Sequence, residues 1–252
     1  MAGFLGMGNY SKPGKGVKKN GTQKKRFFYF FDLLFRKIIP LIKLNLTYLL
    51  FCIPIITIGP ATAALMKITK EFVREKPVFL FSDFKDAFKE NFKQGFIVFI
   101  LEAIIGFGLV EGFIFYYVKT FQNSFYWVIL ILLLVTAMIF IILNFYTYLM
   151  MSTVDIPLVG LIKNSIIMVF VGAKTNFITL FFVLLIAVPC FLFFPFTIIL
   201  LILGAFSITA MIIAYNSYQY IDKYLVKPYY IQNNIKNPDE VDEEDKIFED
   251  VT

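Results

Sequence analysis

The sequence predicts an all-α polytopic membrane protein: a helix bundle with four clear spans and a broken or re-entrant N-terminal hairpin. Hydrophobic residues make up 59% of the 252 residues and charged residues only 17%, a composition typical of membrane proteins. Residues 177–214 form an apolar run without one charged side chain, nearly twice as long as a single helical crossing requires. Pro189 and Pro195 mark where that run folds back, because proline lacks an amide donor and disfavours helix before it.

The order of the elements follows from where apolar, aromatic and charged residues alternate along the chain. A single membrane domain at residues 24–216 lies between a basic flexible arm and an acidic cytoplasmic tail. In chain order the sequence predicts the arm (1–23), an interfacial helix (24–37), a broken hairpin (38–66), a cytoplasmic amphipathic connector helix (67–95), spans at 96–118 and 125–151, a second connector (152–176), spans at 177–194 and 196–216, and the tail (217–252).

The two ends of the chain carry opposite charge. Residues 1–37 hold nine Lys or Arg and one acid, whereas residues 239–250 hold eight acids and one Lys. Such ends are typical of solvated tails, and the basic arm can also contact anionic lipid headgroups. Residues 24–37 interleave aromatic and basic side chains, as a helix in the headgroup region does. Nucleic-acid binding is not expected, because no folded reader accompanies the arm.

The positions of Lys and Arg decide the predicted topology, because cytoplasmic loops retain positive charge. If residues 38–66 enter the membrane and return, 22 basic residues lie inside and only Lys119 lies outside. A single crossing by residues 38–59 would instead leave more basic residues outside than inside. The sequence therefore predicts a multi-pass protein with both termini in the cytoplasm.

The predicted hairpin turns between Pro54 and Gly59-Pro60, where the backbone cannot remain regular helix. A full crossing and a re-entrant path both stay open here, since neither half is long enough for a comfortable crossing. We expect the turn to be buried against the other spans, because hydrocarbon offers no partner for the carbonyls that it frees. Side chains of suitable type to bond them are the hydroxyls of Thr57 and Thr62 and the amides of Asn45 and Asn144.

The chain contains no histidine, which removes the commonest metal ligand and the usual base at physiological pH. Its two cysteines, Cys52 and Cys190, lie in apolar stretches and supply neither a disulfide framework nor a metal site. Zinc sites and Ser-His-Asp or Cys-His catalysis are thereby excluded. We expect no enzyme activity, no cofactor and no metal.

Two acidic residues, Glu102 and Glu111, stand within a clear span, where an ionisable group is costly and usually faces a partner or water. Nine residues apart, they lie on opposite helix faces and cannot form a paired-carboxylate site. Structural pairing is the main interpretation, and a proton- or ion-coupled role is the alternative. Glu102 is expected to pair with a Lys of the 67–95 connector. The expected partners of Glu111 are Asn144, Tyr146 or Tyr148.

Gly108 and Gly112 have the GxxxG spacing that permits close helix approach. Such pairs are frequent in membrane spans, so the spacing alone does not name the partner helix. Packing within the protein is the main interpretation, and dimerisation is the alternative.

Five segments in the first hundred residues form a recognisable pattern. They are GVKKN (16–20), FFYFFDLLFRK (27–37), LIKLNLTYLLFCIPIITIGPATAAL (41–65), SDF (82–84) and FKENFKQGF (88–96). Together they resemble the YesL family of bacterial membrane proteins, most strongly over residues 9–100. The resemblance implies a location in the bacterial cytoplasmic membrane and genes beside carbohydrate ABC importer permeases, and it implies no catalytic residue. Its recognisable positions are Gly59, Pro60 and the segment Asn91–Gln94.

These observations predict a protein of the lipid bilayer, and the resemblance implies that it is an accessory subunit or partner of a carbohydrate ABC importer. The connectors are amphipathic and suit docking on a partner protein. The alternatives are a stand-alone small transporter or channel, with Glu111 and the broken turn lining a path, and a structural membrane scaffold. The candidate functional or packing residues are Glu102, Glu111, Pro54, Gly59, Pro60, Asn91, Lys93, Gln94 and Asn144.

Overall fold

The computed structural model describes residues 26–235, and within that range the chain is α-helical and has no strand. This confirms the predicted all-α bundle. The basic arm and most of the acidic tail lie outside the described residues. The nine helices are α1 (Arg26–Arg36), α2 (Ile38–Phe51), α3 (Ile58–Val73), α4 (Leu80–Glu90), α5 (Phe92–Thr120), α6 (Tyr126–Met151), α7 (Leu158–Val171), α8 (Ala173–Leu192) and α9 (Ile198–Gln232).

Four of these helices, α5, α6, α8 and α9, are long and apolar enough to cross a membrane. They lie at the four predicted spans, so the chain is a multi-pass membrane protein. α9 continues to Gln232, although the tail was expected to begin at residue 217. The extension stays helical because it still has an apolar face, and its Ile221 and Val226 are buried in the core.

α2 and α3 form the broken N-terminal hairpin. The Tyr48 hydroxyl near the end of α2 lies 3.3 Å from Thr62 Oγ1 near the start of α3, so the two helices run back alongside each other. The start of α3 meets α5 at Gly95 and Phe99. Roughly 30 Å of α5, at 1.5 Å per residue, extends beyond that contact. The hairpin therefore reaches only the first part of α5 and turns back well before the C-terminal end of that helix, as a re-entrant segment does.

α3 and α5 cross in backbone contact at two glycines. A Cβ built on Gly59 would stand 2.1 Å from the Gly95 carbonyl oxygen, and a Cβ on Gly95 would stand 2.8 Å from Pro60 N and Cα. Neither position accepts a larger residue unless the helices separate. About two turns further along α3, Lys67 forms an ion pair of 2.6 Å with Glu90, the last residue of α4. Because α5 begins just after Glu90, this contact supports an antiparallel alignment of α3 and α5.

The buried interior surrounds α3 and α9 and draws side chains from the other helices. Aliphatic and aromatic side chains fill it, and its alanines let the helices approach closely. We call this set the central core; its largest fully buried side chains are Tyr146, Phe84, Leu33, Leu41, Leu44, Ile68, Leu149, Met150, Leu161, Leu180, Met211 and Ile221.

The far part of the α5–α6 pair, residues 103–141, lies outside the central core, and we call it the outer hairpin. Within residues 103–141, Leu130 is the single buried residue. α5 meets α6 along one narrow seam that includes Gly112, where a Cβ would lie 3.7 Å from Leu133. The remaining faces of the outer hairpin are not covered by any of residues 26–235.

α9 is interrupted near its start, and a side chain from α2 fills the interruption. A π-helical turn begins at Leu201 and contains Gly204, whose backbone angles are not helical. The Asn45 amide donates to the Leu201 and Ile202 carbonyls, each at 2.8 Å, and its oxygen accepts from the Ser207 N–H at 3.1 Å. Asn45 is fully buried, so it satisfies backbone groups that a kink would otherwise leave without partners.

Candidate functional site

Glu102 lies where the central core ends and the outer hairpin begins. Its Oε2 accepts a hydrogen bond of 2.6 Å from the Tyr148 hydroxyl of α6. The expectation of a Lys partner from the connector was therefore wrong, because the antiparallel register of α5 and α6 places Glu102 opposite Tyr148. Glu102 Oε1 is buried and has no hydrogen-bond partner among residues 26–235. A partly satisfied carboxylate inside a membrane domain is costly and marks a candidate functional position.

A cavity of about 740 Å³ lies between α2, α3, α8 and α9. The hydroxyls of Tyr48, Thr62 and Thr209 line it together with Cys190 and apolar side chains, and no charged residue does. Thr62 also donates to the Ile58 carbonyl of its own helix at 2.8 Å. Because polar groups are few and partly engaged, the lining suits an apolar occupant such as an acyl chain better than a sugar.

The turn of the N-terminal hairpin is buried at one end only. Gly59 and Pro60 are buried at the crossing with α5. Ile53 and Ile55 are 74% and 71% exposed, and Pro54 is exposed beside them. The prediction that the whole turn is buried was therefore wrong for its first half.

The exposed half of the turn needs no cover because it satisfies its own backbone. Thr57 Oγ1 donates to the Phe51 carbonyl at 2.6 Å and to the Pro54 carbonyl at 2.5 Å. Thr57 was one of the expected partners. Asn45 was another, but its amide serves the kink in α9. Asn144 Oδ1 is buried without a hydrogen-bond partner in the described part of the chain.

Asn91, Lys93 and Gln94 lie at the junction of α4 and α5. The buried Asn91 amide donates to the Ala87 carbonyl at 2.8 Å and so caps the end of α4. Gln94 Nε2 donates to the Ile156 carbonyl at 3.0 Å, which ties the junction to the loop before α7. Lys93 is exposed. The two amides therefore position helices, and Lys93 belongs to the surface.

Glu111 is exposed, and it makes no hydrogen bond or ion pair with any residue that the structure describes. The tyrosines expected to partner it are engaged elsewhere: Tyr146 donates to Asn176 at 2.7 Å and Tyr148 to Glu102. The expectation was wrong because Glu111 lies on the face of α5 turned away from the α6 seam. The structure thus separates the two acids of this span into one paired and one unpaired carboxyl.

A second buried amide, Asn176 at the start of α8, joins three helices. Its oxygen accepts the Tyr146 hydroxyl, and its nitrogen donates to the Val169 and Met168 carbonyls of α7 at 2.9 and 3.2 Å. Gly172 makes room, because a Cβ there would stand 2.6 Å from the tyrosine oxygen. Neither Asn176 nor Gly172 was among the predicted site residues. The sequence feature that could have identified Asn176 is an asparagine directly before an apolar run, a pattern that also occurs at the α4–α5 junction.

A charged cluster outside the spans joins α1 to the end of α3. Glu75 accepts hydrogen bonds from the Tyr29 hydroxyl at 2.5 Å and from the Arg36 guanidinium at 2.8 Å. The hydrogen bond from Arg36, followed by that from Tyr29, lowers the pKa of Glu75. The same carboxylate, aided by burial, raises the pKa of Tyr29 to about 12. The cluster holds the interfacial helix against the membrane domain.

Glu102 with Tyr148 and Asn176 with Tyr146 are polar pairs inside the membrane domain, and in each pair the tyrosine hydroxyl is the donor. Within residues 26–235 no three metal-ligating side chains come together. These pairs can fix helix register, and the free oxygen of Glu102 can accept a hydrogen bond from a bound group.

The chain is similar over residues 41–113 to a family described as "Protein of unknown function, DUF624". The matched segment includes most of the N-terminal hairpin, its glycine crossing with α5, and both Glu102 and Glu111. That description names no activity, so it assigns no role to any residue. No curated protein and no solved structure matches the chain.

Proposed function

We propose that this protein is an accessory membrane subunit that docks on another integral membrane protein through its outer hairpin. The observation that carries the proposal is the exposure of that hairpin. In the apolar 18-residue stretch of α5 only 6% of the residues are buried, against 44% in the corresponding stretch of α9. Gly106 and Gly108 on α5 have no atom within 4 Å of a built Cβ. Small residues on an uncovered helix permit close approach of a further helix, which is how membrane helices associate.

We propose a carbohydrate ABC importer permease as the partner. The support is the resemblance of residues 9–100 to the YesL family, whose genes sit beside such permeases. The family matched over residues 41–113 is of unknown function and adds no partner. Because the cavity between α2, α3, α8 and α9 has an uncharged, mostly apolar lining, we assign sugar handling to the partner and no catalytic step to this chain.

A stand-alone transporter is the competing function, and the contacts of the described residues give it less support. Glu111 and the N-terminal hairpin were to line its path together. The hairpin meets α5 at Phe99, which is roughly 18 Å before Glu111 along the helix axis. Glu111 also faces away from α6. A scaffold role has no observation that favours it over docking.

Affinity purification from membranes in mild detergent, followed by identification of bound proteins, tests the docking proposal. The wild-type protein should retain an importer permease. Replacing two exposed aromatics of the outer hairpin, Phe107→Ala with Phe115→Ala, should release it. The matched control replaces two aromatics of α8 that are exposed to a similar or greater extent, Phe181→Ala with Phe191→Ala, and should keep the permease bound.

Two results would contradict the proposal. One is that no other membrane protein co-purifies with the wild-type chain when the chain and its candidate partner are expressed at native level. The other is that the two double variants retain the partner equally, which would move the docking surface away from the outer hairpin.

A further inference from the structure

The exposed face of α5 contains an acidic group at a depth where lipid offers it no partner. Glu111 is eight residues before Lys119, so it lies about 12 Å from that basic residue along the helix. Tyr116 and Tyr117 lie between them, and aromatic rings of this kind mark the membrane interface. Glu111 is therefore below the interface, within the apolar part of the span.

Leaving that carboxyl against hydrocarbon is unfavourable. An acidic side chain within a span costs several kcal/mol unless it meets a partner or water. Within its own chain Glu111 has neither a hydrogen bond nor an ion pair to any of residues 26–235. By contrast Glu102, on the same helix, accepts a hydrogen bond at 2.6 Å. None of residues 26–235 thus supplies a partner for Glu111, and a second molecule in the bilayer can do so.

The helix surface beside Glu111 has a notch that fits a second helix. Gly108 lies one turn before Glu111 on the same face, and a Cβ built there meets no atom within 4 Å. Phe107 and Phe115 flank the notch and are 67% and 57% exposed. A helix crossing at Gly108 would bring its own side chains within reach of the carboxyl one turn away.

We propose that this face binds a transmembrane helix of a partner subunit that carries one Lys or Arg at the depth of Glu111. The inference rests on the proposed docking function and names the chemistry of its partner. Charge complementarity favours a basic helix, because a cation both neutralises the carboxylate and donates hydrogen bonds to it. A second copy of this chain would instead bring two acidic groups together at the same depth, which opposes association.

A defined peptide tests the proposal with the full chain in lipid vesicles. The probes are two dansyl-labelled, Trp-free Leu/Ala helices of transmembrane length, one with a single Lys at the matching depth and one with Leu there. Trp127 is the only tryptophan of the protein and lies in the outer hairpin, so its quenching reports binding at that site. The Lys peptide should bind about tenfold more tightly than the Leu peptide.

Variants assign the effect to the proposed residues. Glu111→Gln should bring the two peptides to within about twofold of each other. Gly108→Leu should weaken both, because it fills the notch. Thr136→Val, which removes a polar group from the uncovered face of α6, should leave the tenfold preference unchanged. The thermal unfolding midpoint of each variant shows that the fold is retained.

The proposal is overturned if both peptides bind wild type equally, or if Glu111→Gln keeps the preference for Lys. Self-association of the protein that depends on Glu111 would also overturn it, by assigning the face to a second copy. A permease that still co-purifies with Glu111→Gln and Gly108→Leu would remove this interface while leaving the accessory function in place.

Discussion

The central core and the outer hairpin are both built from apolar helices but differ in how their most polar side chains are paired. In the core, the buried amides of Asn45 and Asn176 each bond two carbonyls and accept one further hydrogen bond. In the outer hairpin, Glu111 has no partner within the described chain. These two core amides are satisfied within the protein, whereas Glu111 is not, and an unsatisfied polar group in a span usually faces a partner or water.

The largest expected difference between the two regions is at glycine. Gly59→Ala should cost about 3 kcal/mol or more, since its Cβ would stand 2.1 Å from a backbone oxygen that cannot rotate away. Gly108→Ala, on the outer hairpin, should be neutral or slightly stabilising because nothing lies within 4 Å and alanine favours helix. Thermal unfolding of both variants in detergent measures the contrast. Equal midpoints would contradict the backbone contact at the crossing.

A somewhat smaller effect is expected from removing a core amide. Asn45→Leu leaves two carbonyls and one N–H at the α9 kink without partners and should cost about 2–3 kcal/mol. Asn144→Leu is the matched control, because the Asn144 oxygen already lacks a partner, and it should cost under about 1 kcal/mol. Detergent unfolding with both variants measures this. A more costly control would show that Asn144 has a partner that these contacts do not reveal.

The boundary between the two regions is tested at Glu102. Tyr148→Phe removes the one hydrogen bond that its carboxylate accepts from residues 26–235 and should cost about 1–2 kcal/mol. In a Glu102→Leu background the same substitution should cost almost nothing, since no acceptor remains. The double-mutant cycle of unfolding free energies gives the coupling directly. A coupling near zero would mean that the two side chains do not interact in the membrane.

The smallest effect is expected outside the spans, at the cluster of Glu75 and Tyr29. The lowered pKa of Glu75 stabilises the fold above the ordinary value of 4.5, and this is lost as the pH falls through the lowered value. The raised pKa of Tyr29 stabilises it below the ordinary value of 10.0, and this is lost as the pH rises toward about 12. Because Glu75 is partly solvated, Glu75→Gln should cost under about 1 kcal/mol near neutrality.

Unfolding midpoints of wild type and Glu75→Gln across this pH range measure that effect. The gap between the two proteins should be widest near neutrality and should close in acid. A gap that grows in acid would contradict the assignment.

Much of the fold was predictable because the residues within each segment determine whether it can span a membrane. The apolar run beginning at residue 177 and the proline-interrupted hairpin each follow from hydropathy and backbone chemistry within one segment. Gly59 and Pro60 could be singled out for the same reason. Gly95 was not, because its importance depends on which helix crosses it. The exposed first half of the turn was missed because Thr57 caps its own backbone, which makes burial unnecessary.

The pairings of polar side chains were less predictable, since they depend on register between distant helices. Glu102 meets Tyr148 because of how α5 and α6 align, and the loop that sets this alignment has no marked sequence signal. The exposure of Glu111 depends on the N-terminal hairpin ending early along α5. That length could not be read from hydropathy, which left full crossing and re-entry equally open.

The Asn45 contact with α9 has a consequence for biogenesis. Its acceptors, Leu201 and Ile202, lie 156 and 157 positions later in the chain. A ribosome therefore delivers α2 to the membrane long before the kinked segment that Asn45 serves has been made. Until α9 has been made, the Asn45 amide lacks these two acceptors, and the N-terminal hairpin lacks the contact that fixes it to α9. The last span to be inserted thus supplies the hydrogen-bond acceptors that fix the N-terminal hairpin.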